Sequence, residues 1–142
     1  MVKLGLSIFI FLFSFAGLNA AERVVEFGPA VIELTGIVVQ EEHYGPPGFG
    51  ANPESDAIDV VPILVLSKPI TVQGRLSDPL NSETLANVEK IQLIMSVGED
   101  PYCHEYVGNE VKVSGWLLTG NAKNHYTRVL MSVQTIETIA YC

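Results

Sequence analysis

The stretch Asn109-Glu-Val-Lys-Val-Ser-Gly-Trp-Leu-Leu-Thr-Gly120, followed after a polar loop by His125-Tyr-Thr-Arg-Val-Leu-Met-Ser-Val133, decides the fold. Val111, Val113, Gly115 and Leu117 alternate with Lys112, Ser114, Trp116 and Leu118, the period-2 pattern of a strand with one buried side. Beyond Gly120-Asn121-Ala122-Lys123-Asn124 the alternation resumes, with Val129, Met131 and Val133 opposite Arg128, Leu130 and Ser132. Val-x-Val-x-Gly-x-Leu suits a strand that bends sharply in a small closed barrel, since glycine leaves the corner uncrowded. Trp116 is expected on the outer face or under the flank, as a plug against a loop or as a ligand platform.

Working outward, three more strands are expected. Val24 to Pro29 reads as a lead-in and Val31 to Glu42 as the first strand, coiled at Gly36. Ile58 to Leu66 is the second, and its Pro62 suggests an edge or bulge. Lys68-Pro69 is expected to turn the chain, with Ile70-Thr71-Val72 available to continue the pairing. Gly74 to Ala86 is turn-rich, and Val88 to Met95 is the third strand. Asp100 as N-cap, Pro101 at the first helical position and Gly108 as stop predict a short helix over Asp100 to Val107. The order strand, strand, strand, short helix, strand, strand predicts an all-β, five-stranded Greek-key barrel of the OB type, with a small open β-sandwich as the alternative. The inward set is Leu34, Val38, Leu64, Ile91, Leu93, Val111, Val113, Leu117, Val129 and Met131.

The 142 residues leave room for one domain, residues 21–142, after a segment 1–20 of different character. Lys3, an apolar run from Leu4 to Phe15 and the small residues to Ala20-Ala21 predict a cleaved secretory signal and a periplasmic or secreted product. The formal charge is -8, and loss of Lys3 makes it -9. That acidity argues against nucleic acid and anionic membrane surfaces as partners. Cys103 and Cys142, both in the exported part, are expected to form a disulfide; two free thiols or a bridge between chains are the alternatives.

Three segments carry a resemblance: Tyr44-Gly45-Pro46-Pro47-Gly48-Phe49, Val111-Lys112-Val113-Ser114-Gly115-Trp116-Leu117, and His125-Tyr126-Thr127-Arg128-Val129-Leu130-Met131. In this order they resemble the exported bacterial family known only as domain of unknown function 4431. Gly48-Phe49 stands where that family tends to show Asn-Tyr, Tyr126 where it shows a second histidine, and Arg128 where it shows proline. The resemblance implies a fold and a compartment, and no activity.

No nucleophile turn is present, and His43, His104 and His125 have no metal-ligand spacing with one another or with a cysteine. No catalytic residue, metal or cofactor is assigned; a three-dimensional site from His43, His125 and Asp56 is the remaining metal option. The expected function is a non-catalytic binding module for a protein, peptide or glycan. A structural domain without its own ligand is the alternative, followed by a small hydrolase or metal-binding protein. In an OB-type barrel the first-second and fourth-fifth strand loops flank the binding face. That nominates Tyr44, Phe49, His125, Tyr126 and Arg128 as ligand-binding residues, or else the two loops simply pack together to close the barrel end.

Overall fold

The computed structural model describes residues 21–96 and 98–139. The expected signal segment and Cys142 lie outside the described residues, so the Cys103–Cys142 pairing does too. The described residues form six strands: β1 (Arg23–Glu26), β2 (Ile32–Tyr44), β3 (Ile58–Gln73), β4 (Leu85–Ile94), β5 (Glu110–Thr119) and β6 (Val129–Thr138). The sheet order is β1-β3-β2-β5-β6-β4, and β4 pairs back onto β3. Strands β2 to β6 therefore form a closed five-stranded ring of the expected OB type. Only the β4–β6 pairing in that ring is parallel. β1 lies outside the ring, parallel to the end of β3.

The register follows the predicted alternation. Every residue of the expected inward set is buried, from Val38, Val111 and Val113 at 0 % exposure to Leu34 and Leu93 at 2 %. Two glycines make the ring possible. Gly36 pairs with Leu66 of β3 and with Val111 of β5, so β2 changes partners there. A Cβ at Gly36 would stand 2.2 Å from the Val65 carbonyl oxygen. Gly115 sits at a register shift between β5 and β6, and a Cβ there would stand 2.1 Å from the Ser132 oxygen. Both positions need the missing side chain because backbone passes directly over them.

Four expectations are corrected. The helix over Asp100 to Val107 is only a 3-10 turn, His104–Tyr106, because Cys103 takes a φ of +53° and breaks the right-handed run. Asp100 caps a turn instead: its carboxylate accepts from the Tyr102 and His104 N–H groups at 3.1 and 2.5 Å. The chain does not turn at Lys68-Pro69, and β3 runs unbroken through Pro62 and Pro69. Pro62 lies just before β4 begins to pair, and Pro69 falls within a register shift, so neither ring costs a β3–β4 ladder bond. Val24 belongs to a strand, β1, rather than to a lead-in. Leu130 is not outward in solvent: its exposure is 0 %, because the β5–β6 loop folds over that face.

Candidate functional site

The β2–β3 hairpin continues past the ring. β5 pairs with β2 only as far as Ile37, and the β3–β4 pairing starts at Ile63 on the β3 side, whereas β2 and β3 stay paired to Tyr44 and Ile58. The tip is tied by one carboxylate. Asp56, 8 % exposed, accepts from the N–H groups of Gly48, Gly50 and Asn52 at 2.7, 2.9 and 3.1 Å. Burial works to raise its carboxyl, and the donated hydrogen bonds outweigh that, holding it below the usual aspartate range. Pro46-Pro47 in the same loop is joined by a cis peptide.

The β5–β6 loop is anchored on the outer face of β4. Gln92, 7 % exposed, accepts from the Tyr126 N–H at 2.8 Å and donates to the Asn124 carbonyl at 3.2 Å; its own N–H donates to Thr127 Oγ1 at 2.9 Å. A buried amide with its partners in place fixes a loop rather than destabilising it. From that anchor Tyr126 reaches the hairpin. Its hydroxyl donates to Asp59 Oδ2 at 2.6 Å, and its ring stacks on His43 at 4.2 Å with an interplanar angle of 9°. Burial, then the bond to Asp59, pushes the Tyr126 hydroxyl up to about 12. Glu41 joins His43 to Lys90, at 3.1 and 2.6 Å, and Lys90 holds Glu41 below the ordinary carboxylate range.

The five nominated residues are thus divided. Tyr126 is the brace between the loops. Phe49 meets Lys123, whose Nζ lies 5.6 Å from the ring centroid, so the two loops also touch there. Tyr44 follows His43 in the strand and faces the other side of the hairpin, 46 % exposed. His125 turns inward on its own loop, its Nδ1 accepting from the N–H groups of Asn121 and Ala122. Arg128 grips the carbonyls of Ala86 and Asn87 at 3.1 and 3.3 Å, away from the hairpin. His43, His125 and Asp56 do not converge, and among the described residues no group of three or more His, Cys, Asp or Glu is placed to hold a metal ion. Trp116 lies against Gly28, where a Cβ would stand 3.1 Å from it.

On the Tyr44 side is a feature that sequence reasoning missed. Gln40, Ile58, Val60, Tyr102 and His104 line a hollow of about 390 Å3 between the hairpin and the β4–β5 connection. Ile58 and Tyr102 are 53 % and 45 % exposed. The sequence signal was the shared parity of Gln40 and Tyr44 on β2, opposite Pro62 and Ile58 on β3; the approach of Tyr102 had none. A larger hollow, about 800 Å3, opens at the opposite end of the β2–β3 pair, beside Arg23, Leu34, Leu66 and Ile70.

Residues 90–137 match the family described as Domain of unknown function (DUF4431). The DUF4431 match runs from Lys90 of β4 to Glu137 of β6 and contains two of the three segments that carried the resemblance. The Tyr44–Phe49 segment, and with it the projecting hairpin, falls outside the DUF4431 match. No curated protein and no solved structure matches the chain.

Proposed function

We propose that the chain is an exported, non-catalytic recognition module that engages a protein, peptide or glycan with its β2–β3 hairpin. The observation that carries this reading is the hollow beside the hairpin, lined by Ile58 and Tyr102, with the half-exposed Tyr44 next along the same face of β2. Exposed aromatic and aliphatic side chains on a pre-ordered scaffold lose little freedom on binding, which favours recognition. The scaffold is held by Asp56 inside the tip and by Tyr126 across the loops. The histidines and carboxylates that could have carried chemistry instead hold loops and strands, which supports a binding role over a catalytic one.

The test is affinity capture from an envelope extract of the native host, comparing the parent with Tyr44→Ala and Tyr102→Ala. A specific partner retained by the parent and lost by both variants, with thermal stability unchanged, is the expected result. Capture that is indifferent to both changes would remove the hairpin from the binding site.

A further inference from the structure

The hollow borders an open strand edge. Gly45 N–H donates to the Ala57 carbonyl at 2.7 Å, whereas Val38 donates to Asn109 and accepts from Gly108, at 3.3 and 2.8 Å. Odd members of upper β2 therefore point their backbone groups at β3, and even members point them away. Past Val38, among the described residues, nothing continues the second side. Among the described residues no strand pairs with the outward N–H and C=O groups of Gln40 and Glu42. A row of unpaired groups of this kind is a template for another strand. The side chains of Gln40 and Glu42 lie on the Tyr44 face, so an added strand would direct alternate residues toward Ile58 and Tyr102.

Charge narrows the occupant. Glu42 is exposed on the edge, while Lys90 and Lys123 are engaged with Glu41 and Phe49. Pairing with a second copy would set Glu42 against the edge of another chain of charge -8. A basic strand meets the opposite condition. Resting on the recognition role above, we propose that the β2 edge across Gln40 and Glu42 accepts an extended, positively charged segment of a partner protein by β-strand addition.

The probe is a synthetic eight-residue peptide of alternating lysine and valine, with a glutamate-valine peptide as control (about 26 Å extended, enough to cover the edge). Binding is followed by fluorescence anisotropy and by backbone amide exchange. The lysine peptide should bind, slow exchange at the Gln40 and Glu42 amides, and weaken with added salt. Glu42→Pro removes one outward N–H without touching the β2–β3 ladder, and should lower affinity at least tenfold. Unchanged exchange at those amides overturns the proposal, even if Glu42→Pro fails to fold. So does equal affinity of the two peptides, unaltered binding by a folded Glu42→Pro, or a dimer through this edge. A natural partner lost on Tyr102→Ala but indifferent to Glu42→Pro sinks the edge alone and leaves the recognition role standing.

Discussion

Tyr126 and Asp56 show how single side chains set the surface. Replacing Tyr126 with Phe keeps the stack on His43 and removes the hydroxyl that Asp59 accepts. A hydrogen bond to a carboxylate that is partly shielded contributes on the order of 1–2 kcal/mol, so Tyr126→Phe should lower unfolding stability by about that much in urea titration. The sign with pH follows from a hydroxyl raised from 10.0 to about 12. Its contribution is intact below pH 10 and disappears as pH climbs toward 12, and the Phe variant should lack that alkaline loss. Asp56 runs the other way. Its carboxyl is lowered, so its contribution is present above the ordinary aspartate value and fades as pH falls through the lowered one. Asp56→Asn offers one acceptor oxygen where three N–H groups now bond, so faster amide exchange at Gly48 and Gly50 is expected at neutral pH.

Among the elements, β5 and β6 were the most legible. The alternation of Val111, Val113 and Leu117 about Gly115 announced both the buried face and the bend, because a half-buried strand writes its register into every second residue. Gly115→Ala should therefore destabilise by about 1–3 kcal/mol through the clash with the Ser132 carbonyl. Gly108→Ala would meet nothing within 4 Å and carries only the strain of a φ of +81°, so thermal melts of the two variants separate crowding from strain. Other elements left no local trace. β1 is four residues long and finds its partner at Ile70–Gln73, far along the chain. The burial of Leu130 and the Tyr126–Asp59 bond depend on a polar loop that folds back over the sheet, which periodicity does not encode. The spacing of Gly48, Gly50 and Asn52 ahead of Asp56 was a readable sign of a carboxylate-tied turn.

As a whole, the described residues form one ring around one core, with buried residues from their six strands packed together. Val113→Ala should accordingly cost about 1–3 kcal/mol in a single cooperative transition, because the void opens at 0 % exposure and the surrounding ring cannot collapse freely. Cys103, 1 % exposed, has its thiol pushed up to about 11 by burial and by Asp100 and Glu99. Intact mass with and without reductant tests the expected bond to Cys142, which would shift it by about two hydrogens. The parallel β4–β6 pair bears on how the protein comes into being. Ile91 and Val129, brought side by side there, are separated by the whole β4–β5 connection, β5 and its loop. The seam can shut only after β6 has been delivered, so β4 and β5 each wait with one edge unpaired. Until then β4 lacks the neighbour that completes it, and its free edge is open to wrong strand partners during that interval.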